Sequence, residues 1–361
     1  MRSPNRNKRT TLTDVAEAAG VSRWVAGRVL NGGHSNIRCS RETERRIRQT
    51  ALRLDYHPNI AARQLRGKRS HTLGLLVASA GDPLRSFLVQ HLDAEAVKIG
   101  CHTLIANTIG NPLVGPDQFE HYVEEFQRRG VDGVFCAVHT WWPGDRTGLI
   151  ARHPKTVFYE DPGIPGAAYV TVDRAEAVRL AVRHLAGRGR RRIALALMDS
   201  SRPSDRERRR GYEEAISAHG LGPDERLIFD GREHGSAFAW CNEATGRWEF
   251  PFEVIDRAVD ALVRDGGADA IVAHDDFWAA AFIKRIRARA VRVPQDVAVV
   301  GYLNHYLADW TDPALTTIDL RHETAARRMV EMLRRMIHEG SLPEDERVVT
   351  IRPRLVVRES A

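Results

Sequence analysis

Three residues within the stretch SRWVAGRVLN have the chemistry to read a nucleic-acid edge: Arg23, Trp24 and Arg28. An arginine guanidinium bonds two acceptors of one guanine, and an apolar or aromatic face packs on a thymine methyl. A second cationic run, DRERRRGY, sets Arg206, Arg208, Arg209 and Arg210 together. An inward member of such a run grips a carboxylate or phosphate, while the rest form a solvated helix face. The expectation is that Arg208 alone points inward. The sequence AHDD places His274 beside Asp275 and Asp276, as the rim of a binding site does. HETAARR lacks the second histidine one turn on that a zinc-binding helix needs, and no GxxxxGK[ST], GxSxG, HExxH or post-strand GxGxxG is present. The four cysteines, Cys39, Cys101, Cys136 and Cys241, are scattered with no CxxC pair. Neither a zinc site nor a disulfide framework is expected from that spacing, and the chain reads as a non-enzyme with no cofactor, no metal and no catalytic residue.

Charge divides the chain. Residues 1–71 hold 16 Lys and Arg against 5 Asp and Glu, while the remaining 290 residues carry a small acidic excess within an overall net charge of +7. A basic head on a near-neutral body is the electrostatic footprint of polyanion binding. No run of apolar residues is long enough for a membrane helix, and the basic N-terminus is not followed by the apolar core of a secretory signal. The expected compartment is therefore the cytoplasm, with no membrane partner.

The elements that would position these residues are legible in outline. Thr11-x-x-Asp14 reads as a capping box that opens a helix with Val15 and Ala19 on its buried stripe, and Gly20 stops it. Ser22 caps the next helix, whose Val25, Ala26, Val29 and Leu30 face inward and leave Arg23, Trp24, Gly27 and Arg28 outside. Two helices around a glycine turn form a helix-turn-helix, and the N-terminal residues of the second enter a major groove. Ser40 caps a third helix carrying Ile47, Ala51 and Leu54, with Tyr56 closing the small core. Pro58 to Gly67 spans a helix too short to stand alone. Its Leu65, among Arg63, Arg66, Lys68 and Arg69, suits either a wedge into a minor groove or a linker that docks on the body.

From Leu73 onward short apolar runs alternate with amphipathic segments. TLGLLVAS, HTLIAN, VDGVFCAV, KTVFYE, AYVTVD, RRIALALM, RLIFD, ADAIVAHDD and DVAVVGY read as strands. A helix carrying Phe87, Leu88, Leu92 and Val97, and others near 117–129, 174–187, 205–219, 253–265 and 276–290, fall between them. This alternation predicts parallel sheets flanked by helices, and the length predicts two lobes with a cleft at the carboxyl ends of the strands. The fold class expected is an all-α helix-turn-helix head joined to an α/β two-lobed body. The boundaries expected are a DNA-binding head over 1–57, a hinge helix and linker over 58–71, and an effector-binding and dimerisation body over 72–361.

The stretches TLTDVAEAAGVS, RVLN, RETERRI, DYHPNIAARQLRGKRS and HTLGLLV, in this order and spacing, resemble the head of the LacI/GalR family of bacterial transcription regulators. VTVDRAEAVRLAVRHLAGRGRRRIAL, RRRGYEEAI, VPQDVAVVGY, ALTTIDL and PRLVVRES extend the resemblance through a body similar to periplasmic binding proteins. The resemblance implies a homodimeric regulator, most simply a repressor, on a double-stranded, pseudo-palindromic DNA operator, controlled by a small-molecule effector. It puts Arg23, Trp24 and Arg28 at base-reading positions, and Ser22, Asn31, Tyr56 and Asn59 at phosphate-positioning places. Ala62 and Leu65 fall where the hinge helix enters the minor groove. In the body it puts Asp82, Arg208 and Asp275 at effector positions, with Trp248 among the tryptophans able to form a stacking wall.

Two departures bear on function. VAGRV stands where the family commonly has TVSRV, so Val25 and Gly27 replace two hydroxyl residues, and a mid-helix glycine costs about 1 kcal/mol against alanine. After GY the usual sugar-binding aspartate gives way to Leu303 and then Asn304, which stands as the effector-binding candidate of that loop. A sugar, an acidic or phosphorylated metabolite, or no effector at all are each compatible with this pattern, and in the last case the regulator binds constitutively.

Overall fold

The computed structural model describes residues 10–30, 39–56, 69–78, 83–108, 118–139, 144–234, 250 and 252–361. Asn31, Asn59, Ala62, Leu65, Asp82 and Trp248, together with the hinge segment 58–67, lie outside the described residues. Backbone contacts divide the chain into two units, Met1–Ser70 and His71–Ala361.

Among its described residues the first unit has three helices: α1 (Leu12–Ala18), α2 (Arg23–Leu30) and α3 (Arg41–Arg53). The Thr11 hydroxyl accepts from Asp14 N, and the Asp14 carboxylate accepts in return from Thr11 N at 2.7 Å. This reciprocal pair satisfies amides that the first helical turn leaves without partners. Gly20, at φ +63°, makes the left-handed turn that releases α1 into α2. Ala16, Ala19, Ala26 and Ile47 form the buried centre, with Val25, Val29 and Leu30 half-buried against it. Leu54 and Tyr56, expected in that core, are half-buried at the end of α3 instead. The helix has already stopped at Arg53, so neither follows the helical stripe that carries Ile47 and Ala51 inward.

The second unit holds two six-stranded sheets. The first comprises β1 (Thr72–Val77), β2 (His102–Asn107), β3 (Gly133–Cys136), β4 (Thr156–Tyr159), β5 (Ala168–Val172) and β11 (Val348–Ile351), in the order β11-β5-β4-β3-β1-β2. The second comprises β6 (Ile193–Leu197), β7 (Ile228–Asp230), β8 (Ala270–Val272), β9 (Ala298–Tyr302), β10 (Thr316–Asp319) and β12 (Arg354–Val356), in the order β12-β10-β9-β8-β6-β7. Every pairing is parallel except β10 with β12. The strands are apolar on both faces because helices cover both.

Helices α4 (Pro83–Lys98) and α11 (His322–Glu339) cover one face of the first sheet, and α5 (Gln118–Arg129) and α6 (Arg146–Arg152) the other. On the second sheet α7 (Arg174–Gly187) and α8 (Pro203–Ala218) oppose α9 (Phe252–Val259) and α10 (Asp276–Arg287). Gly211 lets α8 approach α7 closely, since a Cβ there would lie 2.3 Å from the carbonyl oxygen of Ala175. The chain passes between lobes three times: after β5, after β10, and between β11 and β12. Helix α11 is not among the elements that the sequence pattern predicts, since its start, HETAARR, reads only as an incomplete metal motif. Val97, expected inward on α4, is 56% exposed, and Ala96 takes the buried position. Among the described residues, no helix is long and apolar enough to cross a membrane.

Candidate functional site

In the head, Ser22 Oγ accepts from Val25 N at 3.3 Å and starts α2. The buried stripe of α2 leaves Ser22, Arg23 and Trp24 exposed together at its N-terminal end, with Trp24 61% exposed. Arg28 stands one turn later on the same face, its guanidinium carbon 5.2 Å from the Trp24 ring centroid. The indole thus steadies the cation through its negative face while leaving the planar head group able to donate. The bulky tryptophan and the arginine form one stacked pair on the outer surface. Tyr56 lies just past α3, its amide donating to Ala51 O at 2.9 Å.

In the body, the order of the parallel strands reverses at β1 and at β6, where it runs 2-1-3 and 7-6-8. Such switch points open a crevice at the carboxyl ends of the strands. Arg208, on the second turn of α8, reaches the crevice beside β6. Its Nη1 donates to His274 Nδ1 at 2.8 Å and to His274 O at 3.0 Å, and lies 3.4 Å from Asp205 Oδ1. The guanidinium also sits 4.0 Å from the Tyr302 ring centroid. Of the four arginines in DRERRRGY only Arg208 is buried, while Arg209 and Arg210 pair with surface glutamates. Asp275 caps α10 by accepting from Trp278 N at 2.8 Å, and its second oxygen is buried with no donor. Burial, with the neighbouring Asp276 charge, pushes its carboxyl up to about 7.

Asn304 is placed differently. Its side-chain oxygen accepts from Arg358 Nη2 at 3.0 Å, and its amide donates to Thr317 Oγ1 at 3.3 Å. Asp276 fixes this loop by accepting from His305 N at 2.6 Å, and Leu303 and Asn304 both take positive φ there. Arg208 and Asp275 are close enough to feel each other's charge, whereas Asn304, in the loop after β9, is tied to Thr317 of β10 and to Arg358 just past β12.

A group in the first lobe escaped sequence reading altogether. Arg85, on the first turn of α4, donates to His139 Nδ1 and to Glu160 Oε1, both at 2.7 Å, with its guanidinium 4.7 Å from the Tyr159 ring centroid. Arg174, at the start of α7, donates to the same Glu160 oxygen at 2.5 Å. Despite burial, the two guanidinium groups hold the Glu160 carboxyl down at about 2. Burial pushes the Tyr159 hydroxyl up to about 12 and His322 down to about 3. Tyr159 and Arg174 lie within electrostatic reach of Tyr302, and His274 within reach of His139, so both groups border one seam between the lobes. Phe87 of α4 closes on His305 with ring centroids 4.7 Å apart. The one local signal for this group was an arginine two residues after Pro83 in an otherwise apolar helix start.

Residues 11–59 match the family described as bacterial regulatory proteins, lacI family. Residues 70–237 match the periplasmic binding proteins and sugar binding domain of LacI family, and residues 182–361 a periplasmic binding protein-like domain. The chain is 30% identical to the HTH-type transcriptional regulator CelR of Thermobifida fusca, covering 98% of this chain and 99% of the relative. It is 27% identical to the HTH-type transcriptional regulator DegA of Bacillus subtilis, covering 98% of each. Among solved structures it is similar to a CelR–cellobiose complex, with a TM-score of 0.66 at 26% identity over 98% of this chain and 100% of that one. The fold also matches that of a lac repressor dimer bound to operator and the anti-inducer ONPF, with a TM-score of 0.77 at 21% identity over 98% and 99% of the two chains. The chain belongs to the LacI family of bacterial transcriptional regulators.

Proposed function

We propose that this regulator acts in the cytoplasm as a repressor, binding a pseudo-palindromic operator as a homodimer whose affinity is set by a small molecule in the interlobe seam. The observation that carries the DNA-reading part is the pair of exposed Trp24 and half-buried Arg28 beside Arg23 on α2, in a segment, residues 1–71, with eleven excess positive charges. In this reading Arg23 and Arg28 bond base edges and Trp24 packs on a thymine methyl, while Ser22, Asn31, Tyr56 and Asn59 hold phosphates. Residues 1–57 form the reading head and 58–71 the hinge, with Ala62 and Leu65 in the minor groove at the operator centre.

The body, 72–361, senses rather than catalyses. Arg208 and Asp275 carry the effector contacts, with Asp82, Trp248 and Asn304 completing the assignment. A ligand that prefers one lobe arrangement shifts the population that binds DNA. The similar solved structures with cellobiose and with operator and anti-inducer support this organisation.

Selection of bound duplexes from a random pool, with full-length protein at near-physiological salt, tests the reading. The expected product is a palindrome with a deformable central step. Binding that is salt-sensitive but blind to sequence overturns it.

A further inference from the structure

The two lobes carry the same three residue types on equivalent elements. Arg85 follows β1, His139 follows β3 and Tyr159 ends β4; Arg208 follows β6, His274 follows β8 and Tyr302 ends β9. In each set the arginine donates to histidine Nδ1, at 2.7 and 2.8 Å, and stacks on the tyrosine, at 4.7 and 4.0 Å. Both tyrosine hydroxyls and both arginine Nε atoms are buried without a hydrogen-bond partner. Buried donors left this way are costly, and a repeated set of them facing one seam is a site built for oxygen-rich ligand groups.

The charges of the two sets differ, and that difference selects the ligand. Among the described residues of the first set, Arg85 and Arg174 share one carboxylate, Glu160, which leaves one buried positive charge in excess. In the second, Arg202 and Arg208 face Asp199 and Asp205 at 3.3 and 3.4 Å, and Asp275 adds a buried oxygen lacking a donor. Acceptors without donors suit hydroxyl groups, whereas excess cations without acceptors suit an anion. The geometry points to a polyhydroxylated ligand with a single acidic group, a sugar acid or sugar phosphate, its acidic group against Arg85, Arg174 and Tyr159 and its hydroxyls against Arg208, Asp275 and Tyr302. A neutral sugar leaves the first-lobe charge unmatched, and a dicarboxylate finds no excess cation for its second charge, because Arg202 and Arg208 are already faced by Asp199 and Asp205. The inference rests on the seam being the effector site.

Thermal unfolding and calorimetry of the full-length protein test it, using hexonates, hexuronates, hexose 6-phosphates, the matching neutral hexoses and succinate. An acid of one of the first three types is expected to bind at least about tenfold more tightly than its neutral counterpart and than succinate, as a hydrogen-bonded charge requires. Binding by the carboxylates alone identifies the acid as a carboxylate, and binding by the phosphates alone identifies it as a phosphate. Arg85→Gln restores charge balance while Glu160 keeps Arg174, so the acid-to-neutral ratio is expected to fall towards one. Tyr159→Phe, which removes only a hydroxyl, weakens the acid and leaves cooperative unfolding intact. A neutral hexose that binds as well as its acid and loses affinity in Arg208→Gln overturns the anionic class but keeps the seam as the effector site. An acid unaffected by Arg85→Gln, Tyr159→Phe and Arg208→Gln overturns both. Absence of binding by every acid in the panel overturns the proposal.

Discussion

His139 and His274 occupy equivalent places in the two lobes, and each offers Nδ1 to an arginine, Arg85 at 2.7 Å and Arg208 at 2.8 Å. A guanidinium only donates, so each Nδ1 accepts, and each ring carries its proton on Nε2. For His274, burial and the adjacent Arg208 hold the imidazole well below its ordinary range. Near neutral pH His274 is therefore uncharged, and the charge around it lies with Arg208 and Arg202.

Asp275 then gives the body a pH dependence of definite sign. Its folded value of about 7 lies above the ordinary 3.8, so the folded state keeps a proton that the unfolded chain releases. Its contribution is fully present below pH 4 and is lost as pH rises towards 7, by an amount on the order of 4 kcal/mol. Asp276, raised to about 6, acts in the same direction. Asp275→Asn keeps an oxygen to cap Trp278 N and removes the titration. Urea unfolding between pH 4.5 and 8 is expected to show a smaller fall in stability for the variant; parallel curves would locate the titration elsewhere.

Trp24 and Arg28 are expected to act as a pair. Arg28→Ala should cost specific operator binding about 1–3 kcal/mol if the arginine reads a base. Trp24→Ala removes the surface on which the guanidinium rests, worth about 0.5–1 kcal/mol at an exposed site, together with its own base contact. Both losses should spare binding to unrelated duplexes. A double-mutant cycle on the selected operator measures the coupling, and strictly additive losses would mean that the stacking seen in the free head does not persist on DNA.

Elements governed by local rules were legible in the sequence. The Thr11–Asp14 box, the Gly20 turn and the apolar runs from β1 to β9 depend on neighbours a few residues apart, and each appears close to its expected place. Arg208 was expected inward, and it lies three residues before Gly211 on the face where α8 meets α7. The first-lobe charge group was not legible, because Arg85, Glu160 and Arg174 come from three elements and meet only in the folded chain. Asn304 shows a different limit of sequence reading. Its position after GY suggested a ligand contact, yet Arg358, from the far end of the chain, accounts for its side-chain oxygen.

Gly211 is expected to tolerate no side chain. The Cβ of an alanine there would meet Ala175 O at 2.3 Å and Ala175 Cα at 2.6 Å, and both are backbone atoms that move only with α7. Alanine improves helix propensity by about 1 kcal/mol, but separating two packed helices costs about 1–3 kcal/mol in strain and lost contact. Gly211→Ala should therefore lower the urea midpoint of the body, and an unchanged or raised midpoint would show that α7 and α8 have room to spare.

Glu160→Gln exposes the buried excess charge directly. In the native protein the carboxylate, at about 2 rather than 4.5, contributes stability that is present above pH 4.5 and is lost as pH falls through 2. Glutamine occupies the same space without the charge, leaving Arg85 and Arg174 buried together with no carboxylate between them. Removing one partner from a buried charge group costs about 3–5 kcal/mol. The variant should thus be much less stable than the native protein at pH 7, with the gap constant down to about pH 5 and narrowing below pH 4.5, where the unfolded native chain takes up a proton at Glu160 that the folded chain does not. Urea unfolding of both proteins from pH 7 down to pH 3 reads this convergence. A gap independent of pH would assign the loss to packing and would remove Glu160 as the counter-ion of the seam.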